Sequence, residues 1–275
     1  MKYIALLLIY LTPFFSTNAQ VIDTLIDVGN HRLHFKIMKG KGIPILFEAG
    51  NGDDGSAWEK LLQPLHDSTG ATLISYDRAG LGKSEIDTLR IGFKKEVKNL
   101  EYALKQLGYS GEKFLVSHSF GGFYSTLYAR RNKKKIKGAV FIEVALPCFF
   151  TPQWSHDFVE NIKERDLKFI KQHKVGLYYV LANMENISKY MSNKLLPRKI
   201  PATVIGAETA PSMLQQKQDE MEKWKKCLQS YGTMPNHTYV LAEGCGHKVW
   251  KDNPELVINE IVKLYKKVDV EKNDK

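Results

Sequence analysis

Cysteine is scarce in this chain: of 275 residues only Cys148, Cys227 and Cys245 are cysteines, and no two of them stand in a Cys-x-x-Cys pair. A His-Glu-x-x-His run is missing too, so the common sequence signatures of a metal centre are absent and no metal is expected. An odd cysteine count leaves at least one thiol unpaired. A chain of this length does not need cross-links to build a core, and the three are read as ordinary residues. No internal repeat or low-complexity tract interrupts the sequence, which is compatible with one large core. Nucleic-acid motifs are also lacking, although the formal net charge is +10. Lys133, Lys134, Lys135 and the lysine-rich C-terminal stretch fall on expected solvent faces, so the charge reads as a solvated basic surface and no nucleic-acid partner is expected.

The N-terminus has the layout of a signal peptide. Lys2 precedes an apolar run from Tyr3 to Phe15, and small residues at Thr17 and Ala19 suggest cleavage before Gln20. The run is short for a permanent membrane span, and no cysteine follows it to carry a lipid. Residues 1–19 are therefore expected to be removed and the product exported, to a periplasm or out of the cell.

Beyond that point strands alternate with helices. Thr24–Val28 and Leu33–Ile37 flank Gly29-Asn30 as a hairpin. Strands are expected at Ile43–Phe47, Thr72–Tyr76, Phe114–Val116, Gly138–Ile142, Ala202–Ile205 and Thr238–Ala242. Helices are expected over Ala57–His66, over Phe93–Leu107 and around Leu214, Met221, Trp224 and Leu228. A last helix opens with Asn253 as its cap and Pro254 in its first turn. Such alternation implies a mostly parallel, doubly wound sheet with right-handed crossovers, whose ligands gather at the carboxyl ends of the strands. Between Pro147 and Lys199 the alternation stops, and a helical lid over 147–199 is expected to split the core into 20–146 and 200–275. Its aromatics, among them Phe149, Phe150, Trp154, Phe158, Phe169 and Tyr190, either line an apolar pocket or fasten the lid to the body.

The most informative stretch is Phe114-Leu115-Val116-Ser117-His118-Ser119-Phe120-Gly121-Gly122. It runs from a strand into a helix, with Ser119 at the corner. Small neighbours at 117, 121 and 122 let the two backbones approach without Cβ clashes. The serine hydroxyl is then held up at a helix N-terminus, where N–H groups favour negative charge.

This small-x-Ser-x-Gly corner resembles the nucleophile elbow of the α/β-hydrolase family, with Ser117 in place of the usual first glycine. Asp77-Arg78-Ala79-Gly80-Leu81-Gly82-Lys83-Ser84 is similar to a supporting turn of that family. The resemblance implies a serine nucleophile, Ser119, and a histidine base after the last strand, where Gly244-Cys245-Gly246-His247 supplies His247. It also implies oxyanion donors at the backbone of Phe120 and, from the turn after the third strand, Asn51. His118 points to the other side of its strand and reads as structural.

The third triad member departs from the family pattern. The stretch Ala202–Ala210 contains no aspartate and offers only Glu208, while Glu143 sits at the carboxyl end of the preceding strand. Glu143 is favoured by its place at the sheet edge, and Glu208 stays open as the alternative. The functional expectation is an exported serine hydrolase that cleaves an ester-like bond through an acyl-enzyme, without a cofactor. Its substrate would be a small molecule with an apolar acyl or alcohol part. Members of the family that remove halides or open epoxides carry aspartate at the elbow, which Ser119 argues against. Other acyl or carbon–carbon bond hydrolases, acyltransferases and a non-catalytic binding protein remain as alternatives. A remoter one is a dinucleotide enzyme, since Gly50-Asn51-Gly52-Asp53-Asp54-Gly55 matches G-x-G-x-x-G and Asp77 ends the next strand. Asp53 and Asp54 would set two negative charges where its pyrophosphate must lie.

Overall fold

The computed structural model describes residues 20–214 and 217–273, so the expected signal peptide over 1–19 lies outside the described residues. Eight strands form one sheet in the order β1-β2-β4-β3-β5-β6-β7-β8. They are β1 (Val21–Asp27), β2 (Arg32–Met38), β3 (Lys41–Glu48), β4 (Ala71–Tyr76), β5 (Lys113–His118), β6 (Ile136–Ile142), β7 (Ala202–Ala207) and β8 (His237–Ala242). The hairpin β1–β2 and the β2–β4 pair are antiparallel, and every other pairing is parallel.

The parallel strands β4, β5 and β7 are buried along their whole length, as a sheet covered on both faces requires. On one face lie α1 (Glu59–Thr69) and α10 (Pro254–Asn273), which pack Leu61, Leu65, Val257 and Ile261 against Phe47, Phe114 and Val140. The other face is covered by α2 (Phe93–Gln106), α3 (Gly121–Arg131) and α8 (Gln218–Gly232), through Val97, Leu100, Phe123 and Trp224. Spacing explains α2, since Phe93, Val97, Leu100 and Leu104 recur on one buried face and Gly108, at a φ of 83°, ends it. The start of α10 follows its cap, with the Asn253 Oδ1 accepting from the Leu256 N–H at 3.0 Å.

Between β6 and β7 the chain forms α4 (Pro152–Glu160), α5 (Glu164–His173), α6 (Val175–Ala182) and α7 (Met184–Met191). The short α9 (Val249–Asp252) precedes α10. Among the described residues no helix is long and apolar enough to cross a membrane. Two expected elements differ in detail. The helix expected at Ala57 opens as a 3₁₀ turn over Gly55–Trp58 before α1. Leu214 belongs to a separate 3₁₀ turn, in which its N–H donates to the Pro211 carbonyl at 2.8 Å, and α8 begins only at Gln218.

The cysteines need a larger correction. Cys148 and Cys227 form a disulfide that joins the segment leaving β6 to α8, across a sequence separation of 79 residues, while Cys245 is free and buried. Distance along the chain hides this pair. It becomes close only because α8 packs over β7, the strand beside β6. Closing a loop of that length restricts the unfolded chain by about 4 kcal/mol. Reduction of the folded protein is therefore expected to lower the unfolding free energy from urea titration by about 4 kcal/mol, and an unchanged value would show that the bond contributes nothing to stability.

Candidate active site

Ser119 stands at the corner between β5 and α3 with a φ of 50°, left-handed backbone that a residue with a Cβ rarely adopts. The turn is tied by the Ser119 N–H to the Ile142 carbonyl at 3.1 Å, and by the Ser119 carbonyl accepting from Gly122 and Ala145 at 2.9 and 2.8 Å. The two glycines after it are required by space. A Cβ on Gly121 would lie 2.5 Å from the Ala49 carbonyl oxygen, and one on Gly122 would lie 2.6 Å from the Val144 Cβ. Ser117, two residues before the corner, is fully buried and donates to the Ser125 Oγ at 2.6 Å.

From this corner the chemistry is assembled across three strand ends. The His247 Nε2 lies 3.0 Å from the Ser119 Oγ, and its Nδ1 lies 3.0 Å from the Glu143 Oε2. Glu143 is 1% exposed and is itself left-handed, with a φ of 49°. Its Oε1 accepts from the Ala207 N–H at 2.7 Å, and its Oε2 accepts also from the Trp224 indole at 3.0 Å. Glu208 is turned elsewhere and accepts from the Gly244 N–H at 2.6 Å. Of the two carboxylates weighed from the sequence, Glu143 is the one brought to His247. The arrangement can pass a proton from a serine hydroxyl to an imidazole whose other nitrogen donates to a buried carboxylate.

The backbone N–H groups of Phe120 and Asn51 donate to no acceptor among the described residues, and both residues line the same cavity as Ser119. The loop that carries Asn51 is held from several sides. Beneath it the buried Arg78 donates to the Ala49 and Gly50 carbonyls and to the Glu48 carboxylate, each at 2.6 Å. Tyr76 donates to the other Glu48 oxygen. Burial pushes the Glu48 carboxyl up, against the pull of Arg78 and Tyr76. Above it Lys174 donates to the Gly52 carbonyl at 3.0 Å, and Lys248 pairs with both Asp53 oxygens at 2.8 and 2.9 Å.

His118 has a larger part than sequence reasoning assigned to it. It is 2% exposed, and burial holds its imidazole well below the ordinary value, so the ring is neutral. The ring bonds through Nε2 to the His247 carbonyl at 3.0 Å, as a donor there. Its Nδ1 meets Gly50 so closely that a Cβ on that glycine would lie 2.5 Å away. One side chain thus touches the base loop and the Asn51 loop from the residue next to Ser119. No local pattern in the sequence marks these contacts, nor those of Trp224 and Lys248.

The cavity above Ser119 has a volume of about 600 Å³. Much of its apolar wall comes from Phe150, Phe158, Ile162, Ile170, Leu177 and Leu181, all in or next to the helices between β6 and β7. Only Phe150 and Phe158 of the expected aromatics line it. Phe149 and Trp154 pack on each other at 4.7 Å, Tyr190 meets Phe93 at 6.2 Å, and Phe169 is 60% exposed. The dinucleotide pattern at Gly50–Gly55 finds no free acid to complete it. Asp77 is buried, accepts from the Gly55 and Lys83 N–H groups at 2.8 Å and meets the His34 Nδ1 at 2.9 Å, so it is committed to holding its own turn.

Residues 43–172 match the family model described as alpha/beta hydrolase fold. An uncharacterized protein, YqjL, of Bacillus subtilis is 37% identical over 114 residues, 41% of this chain and 44% of that protein. A haloalkane dehalogenase of Sphingobium indicum is 26% identical over 176 residues, 62% of this chain and 56% of that protein. The chain thus spans about half the length of these relatives. Among solved structures, a thermophilic esterase from Thermogutta terrifontis superposes with a TM-score of 0.62 at 18% identity, over 91% of this chain and all of that one (100%).

Two measurements check the electrostatics. Glu143→Gln is expected to lower turnover by up to ~10⁴-fold, and Glu208→Gln to leave it near native; the reverse pattern would move the acid to Glu208. The second concerns Glu96, which accepts from the Tyr124 hydroxyl at 2.7 Å and whose carboxyl burial pushes up to about 7. Between the ordinary 4.5 and about 7 the folded protein holds a proton that the unfolded chain has released, so this group's contribution to stability falls as pH rises through that window. Urea titrations at both ends of the window are expected to show a smaller fall for Glu96→Gln than for the native chain.

Proposed function

Because the chain has the alpha/beta hydrolase fold, we propose that it is a serine hydrolase cleaving a carboxylic ester through an acyl-enzyme. The observation that carries the proposal is the line Ser119–His247–Glu143, with 3.0 Å at each contact, at the floor of an apolar cavity. In this reading His247 takes the Ser119 proton as the Oγ attacks the ester carbonyl, and Glu143 stabilises the imidazolium that results. The oxyanion is received by the N–H groups of Phe120 and Asn51. The imidazolium then gives its proton to the departing alcohol, and water activated by the same histidine releases the acid.

Chemistry separates this reading from halide removal, despite the likeness to a dehalogenase. A serine that displaced a halide would be left as an ether, which water does not hydrolyse under these conditions. A carboxylate nucleophile would leave an ester, which water does cleave. With serine at the apex, a cycle that turns over requires an acyl substrate.

The cavity supports an apolar acyl or alcohol part. The proposal includes export after cleavage near Ala19. The Cys148–Cys227 bond is consistent with that, since disulfides persist in oxidising compartments. N-terminal sequencing of the protein recovered outside the cytoplasm tests this part.

The function is tested by labelling the folded protein with a fluorophosphonate and mapping the adduct, which is expected on Ser119 and absent from Ser119→Ala. Along a series of p-nitrophenyl esters kcat/KM is expected to rise by up to about fourfold per methylene until the cavity is full. A folded native protein that neither labels nor hydrolyses any ester would overturn the proposal.

A further inference from the structure

Glu143 receives one side-chain donor from a residue outside the proposed triad. The Trp224 Nε1 lies 3.0 Å from the Oε2, the same oxygen that faces the His247 Nδ1. An indole N–H can only donate, and Trp224 is 1% exposed, so this carboxylate is the partner on which the indole depends. The dependence also runs the other way. With Oε1 engaged by the Ala207 N–H, the two donors on Oε2 fix the rotation of the carboxylate plane. The indole ring stands edge-on to the His247 ring at 5.9 Å and to Phe149 at 5.1 Å, so it is wedged between the base and the chain leaving the acid.

Trp224 belongs to α8, which follows β7 and carries no other group of the site. What ties this helix to the acid's own segment is the disulfide. Cys227 lies one turn beyond Trp224 on the same side of α8, and its partner Cys148 lies shortly after Glu143. The acid and its extra donor are thus the two sides of a short frame closed by the sulfur bridge.

From this geometry we infer that Trp224 is a positioning residue for the acid, and that the Cys148–Cys227 bond holds α8 at the distance its indole requires. The inference rests on the reading of Ser119, His247 and Glu143 as a triad, and it adds a group that acts through Glu143 without touching substrate. A tryptophan that only filled the core would, on truncation to phenylalanine, lower stability and leave turnover and the state of the imidazole as they were.

The test is Trp224→Phe, which keeps an aromatic ring in the core, removes the N–H and leaves a small void where the second ring stood. Turnover of the folded variant is expected to fall about tenfold with KM unchanged, the loss of one hydrogen bond to a charged group. The imidazole Nδ1–H resonance of His247, read in the downfield proton NMR spectrum, is expected to shift. Reduction of the native protein with a phosphine, well below its melting temperature, is expected to lower kcat and move the same resonance, and reoxidation to restore both. In Trp224→Phe, reduction is expected to have little further effect, because the bridge acts through the indole. Native kcat in Trp224→Phe, an unmoved resonance, or equal losses on reduction with and without the indole would each overturn the inference. The resonance is observable without substrate. A native protein without esterase activity would therefore sink the proposed function while the spectrum still decided the role of Trp224. Should Trp224→Phe fail to fold, kcat and the resonance of the native protein before and after reduction decide it.

Discussion

Two residues with side chains are held in left-handed backbone at neighbouring strand ends, Ser119 at 50° and Glu143 at 49°, and the site depends on both. Each such residue costs about 1–3 kcal/mol, and the surrounding contacts must outweigh that. They do so by close approach. Gly121 and Gly122 let α3 press on the end of β3 and on the chain leaving β6, and the same pressure supplies the Ala145 N–H that ties the Ser119 carbonyl. The hydroxyl and the carboxylate are presented by bent backbone on rigid strands. The histidine between them comes from a loop.

That loop and the one carrying Asn51 would be free to drift if only their own residues held them. His118 joins the first to β5 through a carbonyl and presses on the second through Gly50. Arg78 clamps the second from below, at full burial, where its charge is matched by Glu48 and its guanidinium lies 4.8 Å from the Tyr124 ring. A buried ion pair of this kind adds little net stability. What it provides is a fixed direction for two carbonyls, and with them the turn at Asn51.

Much of this was legible in the sequence, and the division follows the range of the interaction. Strand and helix alternation, the corner at Ser119 and the small residues around it are local patterns, set by spacing of a few residues. The pair Cys148–Cys227, the Trp224 bond to Glu143 and the Lys248 pair with Asp53 join residues 79, 81 and 195 positions apart, and no periodicity announces them. The choice between Glu143 and Glu208 was open in the sequence for a related reason. Both lie at the ends of adjacent strands, and the direction of each side chain is decided by backbone angles that composition does not encode. For the aromatic residues between 147 and 199 the sequence left two roles open, and both are filled: Phe150 and Phe158 line the cavity, most of the others are spent on packing, and aliphatic residues form much of the wall.

The disulfide also sorts the chain into two inheritances. Every apolar wall residue named above, from Phe150 to Leu181, falls inside the loop between Cys148 and Cys227, whereas Ser119, His247, Glu143, Phe120 and Asn51 all fall outside it. Substitutions within the loop can redraw the chamber while the reacting groups stay where they are. Under the proposed function a lineage could diverge in the molecules it accepts with Ser119, His247 and Glu143 untouched, and Trp224, inside the loop but bonded to Glu143, is a position where that freedom ends.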